Sequence, residues 1–133
     1  MFQAFDISTS GMRAQRTRMT TIASNLANVN TTRNAAGEIE PYRRLITLFE
    51  PGADGKDAPG VRVSGIVQQQ GPLRRVEAPD HPDAGPDGYV SFPNVDVATE
   101  MIDSLEAARA FEANVTAFEA TKSMLNNALR ILA

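Results

Sequence analysis

PNVDVATEMIDSLEAARAFEANVTAFEATKSMLNNALRIL, residues 93–132, is the stretch whose reading decides the fold. Pro93 cannot sit inside a helix, and Asn94 and Asp96 just beyond it are good N-cap residues. Glu100 and Asp103 place negative charge in the early turns, where the helix dipole favours it. Neither Gly nor Pro occurs from Asn94 to Ala133. The spacing therefore predicts one helix from Val97 to Leu132, about 54 Å long at 1.5 Å per residue. Phe111, Phe118, Leu125 and Leu132 recur every seven residues, and Met101, Ala108, Val115 and Leu129 form a second row interrupted by Lys122. A third row, Ala110, Ala117, Met124 and Ile131, makes the apolar arc broader than a single two-stranded seam uses.

The other end of the chain carries a matching arm. Phe5, Met12, Met19 and Leu26 are seven apart, with Ile22 and Val29 three residues after the last two. A helix from about Ile7 to Val29, roughly 35 Å long, follows from this pattern. Its charge opposes that of the C-terminal arm: Arg13, Arg16 and Arg18 stand against Asp6, whereas residues 96–133 have six acidic and three basic side chains. Opposite charges are what adjacent helices use to choose partner and register, so the two arms are expected to pack on each other. Their surplus apolar surface points to neighbouring chains as further partners. In Asn25-Leu26-Ala27-Asn28-Val29-Asn30-Thr31-Thr32 the Asn and Thr side chains compete for backbone hydrogen bonds, so the arm should fray or turn there. This tract reads equally as a plain helix end or as a hydrogen-bonding patch between subunits.

Between the arms lie seven of the eight prolines and seven of the nine glycines, all within residues 51–93. Tyr42 to Phe49 and Val61 to Val67 read as strands, and Leu73 to Val76 as a short third strand after the Gly71-Pro72 turn. Ala78 to Asp87, with Pro79, Pro82 and Pro86, reads as an extended surface loop. The expected fold is mainly α with a small β insert. Long N- and C-terminal helices (1–34 and 94–133) pack as a coiled-coil hairpin around a central β-rich or irregular segment (35–93).

Composition narrows the function. A chain of 133 residues holds one domain, and a net charge of −3 is the wrong sign for binding a phosphate backbone. Without cysteine there is no thiol chemistry, and a single histidine leaves no His pair for metal or acid–base work. Asp80-His81-Pro82-Asp83 surrounds that histidine with carboxylates, but a proline-rich loop reads as a solvated turn rather than a metal or hydrolytic site. Glu100, Asp103, Glu106, Glu112 and Glu119 read as a solvated helix face. No apolar run is long enough to span a membrane. Residues 1–6 carry neither the basic segment nor the apolar stretch of a cleavable secretory signal, so export would take another route. No enzyme, cofactor, metal site, nucleic acid or small-molecule substrate is expected. The reading is a self- or co-assembling structural protein. The alternative is a small coiled-coil adaptor or chaperone that binds a partner helix.

That reading meets a resemblance over nearly the whole chain. Ser10-Gly11-Met12-Arg13-Ala14-Gln15 and Ile22-Ala23-Ser24-Asn25-Leu26-Ala27-Asn28 resemble the N-terminal signature of bacterial flagellar axial proteins. Gly60 to Val67, Asp80-His81-Pro82-Asp83-Ala84, Gly88 to Val97 and Ala108 to Val115 resemble the proximal rod members of that superfamily, with Phe111 where tyrosine is more common. The resemblance implies a structural subunit of the basal-body rod, the drive shaft between motor ring and hook, in the periplasmic space. It implies passage through the flagellar type III export apparatus. The implied partners are other copies of the chain and neighbouring rod proteins (FlgB, FliE, FlgF and FlgG), with terminal helices forming an inner tube and the β segment outside. The expected assembly interface comprises Phe5, Met12, Met19, Ile22, Asn25, Leu26, Asn28 and Val29 on the first arm. On the second it comprises Met101, Leu105, Phe111, Val115, Phe118, Met124, Leu125, Leu129 and Leu132.

Overall fold

The structure is a computed structural model that describes residues 2–53 and 58–132, the Leu132 side chain excepted. Two helices enclose four strands in the order α1 (Phe2–Ala27), β1 (Leu45–Pro51), β2 (Val61–Gln68), β3 (Arg74–Glu77), β4 (Tyr89–Phe92) and α2 (Val97–Leu132). The architecture is thus mainly α with a small antiparallel β insert.

α2 has the bounds that its sequence predicts. The Asp96 carboxylate accepts a hydrogen bond from the Thr99 backbone N–H at 2.7 Å, the mark of an N-cap. That bond holds the Asp96 carboxyl below its ordinary pKa. α1 begins five residues before the expected Ile7, because Phe5 has a partner: its ring meets Phe118 edge-on, centroids 4.8 Å apart. It ends at Ala27, where the Asn28 amide donates to the Ser24 carbonyl (2.9 Å) and Thr31 caps the turn on Asn28.

The helices run antiparallel against each other. Successive levels pair Phe5 with Phe118, Gly11 with Asn114, Arg18 with Asp103, and Asn25 with Glu100. Gly11 makes a close approach possible: a Cβ there would lie 2.6 Å from Asn114 Oδ1. Phe111, Phe118 and Leu125 are half-buried, and of the three Phe118 meets α1 through Phe5. The row beside them, however, is Glu100, Ala107, Asn114 and Thr121, not Met101, Ala108, Val115 and Leu129. Met101 and Leu129 are exposed, and Ala108 and Val115 are half-buried. Helices this close select small and polar side chains, so the bulkier row is turned aside.

The insert differs more from expectation. β1 and β2 pair antiparallel from Leu45↔Gln68 to Pro51↔Val61, with a bulge at Leu48/Phe49. β3 does not extend that sheet but forms a separate ladder with β4, from Arg74↔Phe92 to Glu77↔Tyr89. Pro72 lacks the N–H needed to continue the first ladder, and Tyr89 to Phe92, four residues with no expected strand, supply the partner instead. The first ladder rests on α1. Thr47 donates its hydroxyl to that of Thr21 (3.0 Å), and the Val61 N–H donates to Ser10 Oγ (3.2 Å). Gly60, at φ +105°, allows this docking, since a Cβ would lie 2.3 Å from Ser10 Oγ. Buried apolar side chains among the described residues are few, and none is aromatic: Ala14, Ile22, Val90, Pro93, Val95 and Ala107.

Candidate functional site

Three features stand out, of which the first is a buried polar cluster where α1, β1 and α2 meet. Asn25 Nδ2 donates to the Leu45 carbonyl and to Glu100 Oε2, both at 3.0 Å. Its Oδ1 accepts from the Leu45 N–H (2.9 Å) and the Tyr42 hydroxyl (3.0 Å). These four bonds use the full capacity of a side-chain amide. Glu100 has no exposed surface, and its second oxygen takes the Arg44 Nε–H at 2.5 Å. The Arg44 guanidinium also reaches Asp103 (3.1 Å) and Gln69 (3.2 Å), while Arg18 meets the other oxygen of Asp103 at 3.2 Å. Two arginines thus balance two buried or half-buried carboxylates, as a carboxylate removed from water requires.

This corrects two expectations. Neither Glu100 nor half-buried Asp103 lies on a solvated face; Glu106, Glu112 and Glu119 are exposed. Asn25 has no side-chain position left for a neighbouring subunit, and Ile22 beside it is buried within the chain. Arg44 and Tyr42 were missed as partners because they lay in a presumed strand. The sequence did hold a signal: Ala4, Gly11, Arg18 and Asn25 form a seven-residue line of small and polar residues matching Glu100, Ala107, Asn114 and Thr121.

The second feature is the loop around His81, which is an anchor rather than a solvated turn. Asp83 is buried, accepts the Thr32 hydroxyl at 2.6 Å and forms an ion pair with Arg33. The Thr32 hydroxyl first, and the Arg33 guanidinium second, hold the Asp83 carboxyl below the usual carboxylate range. His81 Nδ1 accepts the Asp83 backbone N–H (3.0 Å) and its ring stands edge-on to Phe92. Asp80 is exposed, and among the described residues no three His, Asp or Glu side chains converge on a metal position.

The third feature is exposed apolar surface on α2. Met101, Ile102 and Leu105 are more than half exposed near its start; Met124, Leu129 and Ile131 are so near its end. Phe5, Met12, Met19, Leu26, Asn28 and Val29 on α1 or just beyond it, and Phe111, Val115, Phe118 and Leu125 on α2, are half-buried. The Leu132 side chain lies outside the described residues. Among the described residues no helix is long and apolar enough to cross a membrane.

Comparison with known proteins agrees with this geometry at both ends of the chain. A family model described as "Flagella basal body rod protein" matches residues 5–33, and one described as "Flagellar basal body rod FlgEFG protein C-terminal" matches residues 87–131. The curated relatives include three named "Flagellar basal-body rod protein FlgC". That of Bacillus subtilis is 41% identical, with 98% of this chain and 97% of the relative covered. That of Borreliella burgdorferi is 37% identical, with 99% and 97% covered. That of Salmonella typhimurium is 36% identical, with 98% and 97% covered. With identity at this level running end to end across both helices and the insert, the chain belongs to the FlgC family of flagellar basal-body rod proteins.

Proposed function

We infer that this chain, a structural subunit of the flagellar basal-body rod by its family, carries load through the exposed side of its long helix. The observation that supports this is the apolar patch of Met101, Ile102 and Leu105, which a subunit working alone would expose to water at a cost. In this reading α1 and α2 act together as a coiled-coil hairpin within 1–34 and 94–133. Half-buried Met12, Met19 and Val115 at its margins, with Met124 and Leu129 at its end, complete the contacts to other helices. Residues 35–93 lie outside the tube that the helices build. The partners are other copies and the rod proteins FlgB, FliE, FlgF and FlgG, reached after export through the type III apparatus into the periplasmic space. Torque passes through many packed helix faces, and nothing in that task calls for catalysis.

The test is motility in a strain lacking its own copy. A carboxylate forced unpaired into a packed interface costs several kcal/mol, more than one contact offsets. Ile102→Asp and Leu105→Asp should each abolish swimming and rod assembly while the protein is still made and exported. Glu112→Ala, on exposed surface, should swim normally. Wild-type swimming by both aspartate variants would overturn the reading.

A further inference from the structure

The seam between α1 and α2 has a property that its large residues cannot account for. Along each helix similar side chains recur every seven residues, so alignments one heptad apart look alike. Phe5 meets Phe118; a slip of seven residues would bring it to Phe111 or to Leu125, again a large apolar side chain. Gly11 lies against Asn114; the same slips would bring it to Ala107 or Thr121, again small residues. The apolar and close-packed parts of the seam therefore discriminate poorly among alignments about 10 Å apart.

The polar cluster does discriminate. Asn25 reaches Glu100 in the observed alignment, but after a slip it would face Ala107 in one direction and Pro93, ahead of α2, in the other. Either slip parts the Glu100 carboxylate from an amide that also holds both backbone groups of Leu45. Arg44 arrives from the insert and bonds Glu100 and Asp103, while its backbone N–H donates to Asn94 Oδ1 (3.1 Å). The insert is thereby tied to the start of α2. A single buried polar contact fixing the register of a repetitive helical seam is a known use of such groups.

We propose that Asn25, Glu100 and Arg44 are positioning residues that lock α1 and α2 in one of several heptad-spaced registers. The lock sets how far α2 projects beyond the N-terminal end of α1. Phe5 stands level with Phe118, so the last turns of α2, with exposed Met124, Leu129 and Ile131, have no part of α1 opposite them. A slip of seven residues would lengthen or shorten that projection by about 10 Å. Its use in spacing rod subunits rests on the assembly reading above; the lock itself does not.

The chain has no cysteine, so introduced pairs report the register without background. In the full chain, Gly11→Cys with Asn114→Cys reports the observed alignment. Gly11→Cys with Ala107→Cys, and Gly11→Cys with Thr121→Cys, report the two slips; both carry Asn114→Ala to relieve crowding at position 11. With the lock intact, oxidation should cross-link only the first pair. Adding Asn25→Leu and Glu100→Leu should raise cross-linking in at least one slip reporter tenfold or more. Glu100→Gln leaves one acceptor where Asn25 Nδ2 and Arg44 Nε each require one, so it should raise slip cross-linking too, by less than the double-leucine change. Persistence of only the first cross-link in the double-leucine background would overturn the proposal. Loss of all cross-links together with helicity would overturn it too, by making the cluster a requirement for helix pairing rather than for register. Swimming does not enter the readout, so failure here leaves the assembly reading standing, and the reverse holds.

Discussion

Asp83 shows how one residue makes part of the fold sensitive to acid. Thr32 and Arg33 hold its carboxyl below the usual range, so the folded chain binds that proton less readily than the unfolded one. A group depressed in this way stabilises the fold above its unfolded pKa, about 3.9, and loses that contribution as pH falls through the lower folded value. Denaturation midpoints measured from about pH 6 downward should therefore include an acid-labile component that Asp83→Asn removes. Thr32→Val should reduce it, because Thr32 is the larger cause. Asp87 is lowered as well, chiefly by the Tyr89 backbone N–H, so an acid limb should survive in the Asp83 variant. A full acid limb unchanged by Asp83→Asn would show that the carboxylate does not tie the loop to residues 32 and 33.

Among the elements, the pair of helices turns on the meeting of Gly11 and Asn114. Gly11→Val would drive side-chain carbon into the Asn114 amide, an overpacking expected to cost about 1–3 kcal/mol. Asn114→Ala in the same chain should recover most of that loss, and a double-mutant cycle of melting temperatures would read the coupling. Additive effects would mean that the helices do not approach here. The extent of α2 was legible because Pro93 and Asp96 mark its start and no breaker follows. Its buried face was less so. A carboxylate every hydropathy pattern assigns to water, Glu100, is neutralised by an arginine 56 residues away, which no local pattern registers. The β3–β4 ladder was hidden for a similar reason, since its strands are short and joined by a loop holding Pro79, Pro82 and Pro86. The apolar repeat itself was readable, and Phe118 does meet Phe5 across the helices, but periodicity alone could not say which adjoining row lay inward. Of the site residues, Asn25 carries the hydrogen-bonding chemistry that its tract suggests, with all four bonds made inside the chain.

For the molecule as a whole, the scarcity of large apolar side chains in the interior has a thermal consequence. Unfolding raises heat capacity through the apolar surface it exposes and lowers it through the polar surface. Among the described residues the buried apolar groups are alanines, valines, one isoleucine and Pro93, while Glu100, Asn25, Thr21 and Asp83 are buried beside them. The heat-capacity increment should fall below the ordinary value of about 12–15 cal/mol/K per residue, and scanning calorimetry of the purified chain would measure it. A value at or above that range would mean that the folded chain hides more hydrocarbon than its own interior holds, as it would in a stable oligomer. A small increment flattens the dependence of stability on temperature. Free energy would then curve less with temperature, and the cold-denaturation limit of the chain would lie further below its melting point.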